Sequence, residues 1–328
     1  MYPANKGSPT EWRRASELWE GKARVGVLAL GALPFSDTIE SGEKDSRAVQ
    51  RFASWLKGGG RYASDALGPL WQRAIATAPC VAFSYSVEAE LLFGTMIPTE
   101  TRGHRPCGFA VFEKRADAIV RSLSAAIPCA DVSFFETCAT LVWACRDDVS
   151  WDAARRRIRQ GPPLCEDAHR VVANNFLHIS EQQGGASTMF SALGDGPKVI
   201  SALVRAIRTQ QREAQGPRAI RVALHTRKPE ATALVWLAVI RTAARWTDHV
   251  PTAFWTMGAD RPWLQVQLRE PDVETFASLW SDAPDPAHTL DLRAPSSATE
   301  ASLIAPISAC FARPESSIGD LLTTVAAI

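Results

Sequence analysis

Residues 81–112 read VAFSYSVEAELLFGTMIPTETRGHRPCGFAVF. Val81, Phe83 and Tyr85 alternate with Ala82 and Ser84, which is the period of a strand. Glu90 to Ile97 predicts a second strand, stopped by Pro98, and Cys107 to Phe112 a third. The connections are too short for crossover helices, so the three strands are expected to pair antiparallel. The stretch therefore sets the fold class as α/β of the α+β kind: an antiparallel-rich mixed sheet flanked by helices.

Working upstream, Val25 to Leu30 reads as a strand closed by Gly31 and Pro34, and 36–43 as a polar loop. Between Lys44 and Lys57, Ala48, Val49, Phe52, Trp55 and Leu56 follow helical spacing. Gly58-Gly59-Gly60 reads as the end of that helix. A second helical stretch over 61–78 is broken near Gly68-Pro69, because Pro clashes with the preceding turn. A short capped helix is expected over 10–20.

Downstream, Asp131 opens a helix carrying Phe134, Phe135, Cys138, Leu141 and Val142. Ser150 caps another, which carries Arg155, Arg156, Arg157 and Arg159. Glu166 to Ser180 and the basic amphipathic stretch Val199 to Ala214 predict two helices joined by a glycine-rich loop. Ile220, Val222 and Leu224 alternate as a strand, and Pro229 suits the first position of the next helix. Gly258-Ala259-Asp260 predicts a β-hairpin over 253–268. A short helix over 271–280, a linker over 282–300 and a helix after Ser316 complete the chain. The expected organisation is a polar segment at 1–23, an α/β domain at 24–160 and a helical insertion at 161–217. A C-terminal α/β part at 218–293 and a linker and tail at 294–328 follow.

Composition narrows function by exclusion. The 328 residues carry 36 Lys+Arg against 35 Asp+Glu, a net charge of +1. That balance describes neither a general nucleic-acid binder nor a polybasic membrane adaptor. The longest apolar stretch, Ala231 to Ile240, is half of the roughly 20 residues a bilayer span needs. No apolar run marks a signal peptide near the start, so a cytoplasmic protein is expected. The seven cysteines form no Cys-x-x-Cys pair, which argues for reduced thiols and against zinc. Neither a Gly-x-Ser-x-Gly elbow nor a phosphate-binding loop occurs. None of the six histidines forms His-x-x-x-His. The expectation is no catalytic residue, no metal and no cofactor.

Several segments, read in order, match a known pattern. Gly31-Ala32-Leu33-Pro34-Phe35-Ser36-Asp37 is similar to "G-K-L-P-x-x-G-D-F", with Ala32 in the Lys place and one glycine missing. Trp55-Leu56, Leu70-Trp71, Thr77-Ala78-Pro79 and Val81-Ala82-Phe83 follow "W-L…L…W…A-P-x-W-R-F". Gly94 to Thr99 is similar to "G-V-L-x-P-S". Where the pattern continues "D-x-V-G-R-x-F-P-L", Thr101 to Pro106 lacks the Asp and changes the Gly-Arg spacing. Phe134 to Asp152 is similar to paired helices with an acidic joint. Phe254 to Gly258 is similar to "W-W-T-x-G", and Leu268, Pro271, Phe276 and Leu279 to "G-L-P-x-x-x-x-F-x-x-L". Over about 24–160 and 245–281 the chain thus resembles the TagF/ImpM family of bacterial type VI secretion systems. Residues 161–217 and 294–328 have no counterpart in the pattern.

The resemblance implies regulation or assembly rather than catalysis. Members of the family act in the cytoplasm as posttranslational repressors, linked to a scaffold protein with a forkhead-associated domain. The expected partners are type VI secretion proteins; nucleic acid and a membrane span are not expected. The expected partner surface comprises Pro34 and Asp37, the loop residues Pro98, Thr99, Arg102, Gly103, His104 and Arg105, the basic run Arg155, Arg156 and Arg159, and Trp255. Two other readings stay open. One is an adaptor or chaperone for a secreted effector, using helices 166–180 and 199–214. The other is an enzyme of unrecognised type, using His104 and Arg105 with a distant carboxylate.

Overall fold

The computed structural model describes residues 28–34, 36–39, 46–88, 90–115, 128, 132–147, 156, 190, 196–213, 216–226, 229–246, 249–256, 258–293, 304–313 and 315–328. The strands are β1 (Leu28–Leu33), β2 (Ser36–Ile39), β3 (Val81–Val87), β4 (Glu90–Glu100), β5 (Pro106–Arg115), β6 (Ala219–Ala223), β7 (Ala253–Thr256), β8 (Trp263–Gln267) and β9 (Thr289–Asp291). The helices are α1 (Arg47–Leu67), α2 (Pro69–Thr77), α3 (Val132–Asp147), α4 (Gly196–Glu213), α5 (Pro229–Ala244), α6 (Val273–Leu279), α7 (Ala305–Phe311) and α8 (Ile318–Ala327). The strands form one sheet in the order β2-β1-β5-β4-β3-β7-β8-β6-β9. Every pairing is antiparallel except β6 with β9. The expected class, a mostly antiparallel mixed sheet with helices, is the one observed. β3 lies beside β7, with Phe83 opposite Phe254, so strands far apart in sequence share one sheet.

Alternation along the strands assigns each side chain to a face. Val81, Phe83, Tyr85, Phe112 and Phe254 point toward α1, α2 and α6. Ala82, Phe93, Phe109, Val111 and Trp255 point to the opposite face, where α3, α4, α5, α7 and α8 add their apolar sides. The first face is aromatic. Phe52 of α1 has ring centroids 4.8 Å from Phe83 and 4.9 Å from Tyr85. Trp55 stacks on Phe254 at 5.3 Å, and its indole N–H donates to the Asp272 carbonyl at 2.7 Å. Trp55 therefore holds the sheet, α1 and the start of α6 together.

The glycine run departs from expectation. α1 does not stop at Gly58 but continues to Leu67 and ends at Gly68. Glycine inside a helix costs about 1 kcal/mol per residue against alanine, so the run must be offset by packing. A Cβ on Gly59 would lie 2.4 Å from Phe276 Cβ in α6. One on Gly60 would lie 2.3 Å from Cys107 Cα in β5. The glycines are the groove in which α1 meets both neighbours at backbone distance.

Other differences have equally local causes. β4 runs through Pro98 to Glu100, because β3 ends opposite Met96 and leaves one side of β4 without a ladder for the missing N–H to break. Ser36 to Ile39 are not loop but edge strand β2, folded back on β1 after Pro34 with Leu33 opposite Ser36. Within the expected linker, β9 pairs parallel to β6, guided by the amides of Arg218 and Ala219 donating to the His288 carbonyl. The helix expected after Ser316 forms as α8, while α7 before it was not expected; together they bury Ile307, Cys310, Ile318, Leu321 and Val325. α8 begins with a reciprocal cap between Ser317 and Asp320. The helices expected at 10–20 and 166–180 lie outside the described residues, as does the one at 150–160 apart from Arg156.

Arg221 of β6 fixes the far end of α6. Its side chain is wholly buried and donates to Gln265 Oε1 at 2.9 and 2.7 Å and to the Ser281 carbonyl at 2.9 Å. It also donates to the Ser278 carbonyl, and its guanidinium lies 4.4 Å over the Trp263 ring. Burial pushes its pKa down to about 9, so it stays charged at neutral pH. A cation at the end of a helix, hydrogen-bonded to its last carbonyls, is favourable on both counts. α6 is thereby held at one end by Trp55 and at the other by Arg221, with Phe276 between them pressed on Gly59.

The glycine contacts yield a graded expectation. Gly60→Ala should destabilise by about 3 kcal/mol and Gly59→Ala by about 2 kcal/mol, as overpacking does. Gly58, whose added Cβ would meet only Val273 Cγ1 at 3.3 Å, should tolerate alanine with no loss. Urea unfolding of the three variants checks this. Equal stability of all three would show that the groove is not tightly packed.

Candidate functional site

Where α1 crosses the start of β5, the molecule opens a cleft of about 610 Å³. Its floor is Leu30, Gly31 and Ala32 of β1 with Cys107 and Gly108 of β5. One wall is α1, through Ala53, Ser54, Lys57 and Arg61. The other is the β4–β5 loop, through Thr101, Arg102, Gly103 and Arg105. The same close packing that explains the glycines builds this floor. A Cβ on Gly31 would lie 2.0 Å from the Gly108 carbonyl oxygen, and one on Gly108 would lie 2.9 Å from Leu56 Cδ2. Gly31 also has φ of 116°, a conformation that side chains resist.

The loop is a three-residue hairpin connection. The Thr101 amide donates to the Arg105 carbonyl, and the His104 amide to the Thr101 carbonyl, each at 2.9 Å. Thr101 Oγ1 accepts from the amides of Gly103 and Arg105, both at 3.2 Å. Such loops place one residue in the left-handed region, normally glycine. Here that residue is His104, with φ of 57°. Its ring Nδ1 lies 3.0 Å from Glu100 Oε1, on the exposed outer side of the loop.

The electrostatics are one-sided. Lys57, Arg61, Arg102 and Arg105 line the cleft, all four are exposed, and no carboxylate lines it among the described residues. Among the described residues none of the four takes part in an ion pair. Cys107 is the one thiol on the floor. Its Sγ points at the Ala32 carbonyl at 4.0 Å, and burial pushes its pKa up to about 12. A thiol so held stays protonated at neutral pH and is a poor nucleophile. Cys80, elsewhere in the core, is pushed up to about 12 for the same reason. Among the described residues no three metal-ligating side chains cluster. No helix among them is long and apolar enough to cross a membrane.

The structure brings some of the sequence-predicted residues together and separates others. Arg102, Gly103 and Arg105 line the cleft, while His104 of the same loop turns its ring outward to Glu100. Pro34 is exposed at the β1–β2 turn, next to the end of β1 that forms the floor. Asp37 lies in β2, on the edge of the sheet. Pro98 and Thr99 are buried within β4 and present no surface. Trp255 is also in the core, 5.0 Å from Phe135 in an edge-to-face contact. An aromatic in the central strand of a sheet covered on both faces has no route to a partner. Arg156 is exposed, while Arg155 and Arg159 lie outside the described residues. Lys57 and Arg61 were not expected. Their spacing of four puts them on one face of a helix, but only if the helix is read through its glycines.

Comparison with known protein families and with curated proteins finds no match. Among solved structures the chain is similar to PA0076 from Pseudomonas aeruginosa PAO1, a crystal structure. The likeness covers 79% of this chain and 96% of that one, at 16% identity and a TM-score of 0.45.

Two outcomes follow from the geometry. Native protein treated with iodoacetamide at mildly alkaline pH should leave Cys107 and Cys80 unmodified by peptide mass mapping, with both alkylated after unfolding. Rapid native alkylation of Cys107 would contradict its burial and its protonated state. Separately, His104→Gly should raise thermal stability by about 1 kcal/mol by removing left-handed strain. The exposed contact with Glu100 offsets little of this. A fall in melting temperature would show that the imidazole contributes more than the strain costs.

Proposed function

We propose that this chain is a non-catalytic accessory or regulatory protein of a bacterial type VI secretion system that acts by binding other proteins. The observation that carries the reading is spatial. Two segments resembling the TagF/ImpM pattern, Gly31 to Asp37 and Gly94 to Pro106, run at neighbouring positions in the sheet, although about sixty residues separate them in sequence. β1 runs antiparallel to β5, so the end of β1 that leads to Pro34 lies beside the start of β5. The β4–β5 loop enters β5 at that same end. Both parts of the resemblance thus frame one cleft.

The chemistry of the cleft favours binding over turnover. Its cations are exposed, its thiol is held protonated, and its threonine hydroxyl is engaged by the loop backbone. Catalytic groups are normally held by partners that orient them and shift their protonation. The rearranged loop, without the pattern's Asp, supports a member whose partner contacts differ from those of the family.

The test is an affinity purification of the tagged chain from its host, with the secretion apparatus proteins quantified by mass spectrometry, alongside secretion assays of a deletion strain. The reading expects one or more apparatus proteins, the forkhead-associated scaffold first among them, to be enriched about tenfold or more, and secretion to change on deletion. No enrichment together with unchanged secretion would sink it.

A further inference from the structure

Lys57 and Arg61 stand one turn apart on α1, and like charges at that spacing repel by a few tenths of a kcal/mol. Arg102 and Arg105 line the same cleft from the β4–β5 loop. The whole chain has a net charge of only +1, so four cations on one cleft are a local concentration and not a share of a general excess. A cleft lined by one sign of charge focuses the field and attracts the opposite sign. The missing partner is therefore anionic.

Its class follows from burial. Sites for small molecules enclose the ligand and fix it with a few buried, oriented polar groups. Here all four cations are exposed, and Thr101, the buried polar side chain of the lining, spends its hydroxyl on two loop amides. The floor is apolar or backbone: Leu30, Ala32, Cys107 and Gly108. Two walls of exposed cations above an apolar floor suit an extended chain that presents several carboxylates, each met by a different side chain. Arginine forks take carboxylates in pairs of hydrogen bonds, so Arg61, Arg102 and Arg105 supply direction as well as charge.

We propose that the cleft docks an acidic peptide segment of a partner protein, gripped by Lys57 and Arg61 on one wall and by Arg102 and Arg105 on the other. This rests on the reading that the protein works by binding other proteins, and names the chemistry of what it binds.

The experiment uses the full chain and a fluorescein-labelled peptide of alternating Asp and Glu, followed by anisotropy. Saturable binding is expected, weakening as ionic strength rises. Lys57→Glu with Arg61→Glu, and separately Arg102→Glu with Arg105→Glu, should each lower affinity about tenfold or more. Arg73→Glu, on the exposed side of α2 outside the cleft, should leave it unchanged. Circular dichroism confirms that each variant is folded, and the corresponding glutamine variants replace any that is not. Equal losses in Arg73→Glu, or binding indifferent to salt, overturn the proposal. So does tight binding of inorganic phosphate or ATP in the absence of peptide binding, which makes the cleft a small-anion site. The affinity purification separates the two readings. If wild type enriches apparatus proteins and the Arg102→Glu, Arg105→Glu variant enriches them equally, the cleft inference fails and the functional reading stands. If wild type binds the peptide but enriches no apparatus protein, and deletion leaves secretion unchanged, the functional reading fails and the cleft inference stands.

Discussion

The approach of α1 to α6 and β5 at Gly59 and Gly60 is the constraint on which the rest of this half of the molecule depends. No side chain larger than hydrogen fits at either position without moving a backbone or a buried ring. The helix gives up about 1 kcal/mol of propensity at each glycine. In return, Phe276 reaches into the aromatic layer formed by Trp55, Trp71 and Trp280. The depth of that contact sets the height of α1 above the sheet, and so the position of Lys57 and Arg61 above β1.

The contact is held from several directions. Trp55 donates to the carbonyl of Asp272, whose side chain in turn caps α6 through the Thr275 amide at 2.9 Å. Burial alone would raise the Asp272 carboxyl, but that amide and the Arg218 guanidinium outweigh it and hold it below the usual carboxylate range. Arg221 fastens the other end of α6. Stability and site geometry share these contacts, because the helix that packs on Phe276 through Gly59 also carries Lys57 and Arg61.

The two faces of the sheet divide the work. The face under α1, α2 and α6 is aromatic and shaped around a few close contacts. The opposite face is larger and mostly aliphatic, covered by α3, α4, α5, α7 and α8. The large aromatics of the first face, Phe52, Trp55, Phe83, Tyr85, Phe112 and Phe254 among them, are spent on this core and offer no surface. The same holds on the opposite face for Trp255, because a tryptophan in a strand offers no surface when both faces are covered.

Local pattern was enough for much of this fold. The three strands of 81–112, the hairpin at 253–268 and the proline at the start of α5 each depend on neighbours in sequence, and each formed, although β4 runs past Pro98 where a stop was expected. Local pattern was also enough to place Arg102, Gly103 and Arg105 in an exposed polar loop between two strands. Three things lay beyond it. The glycine run looked like a helix stop because its justification, Phe276 and Cys107, lies far away in the chain. β2 and β9 looked like loop because short edge strands take their order from the strand they pair with. The cleft itself could not be read at all, because its two cationic walls meet only when β1 pairs with β5 and α1 settles on both. Sequence determined the elements and most of their faces, through periods of two and of 3.6 residues. Tertiary structure decided which of the exposed charges share a site, because that depends on backbone distances that only packing sets.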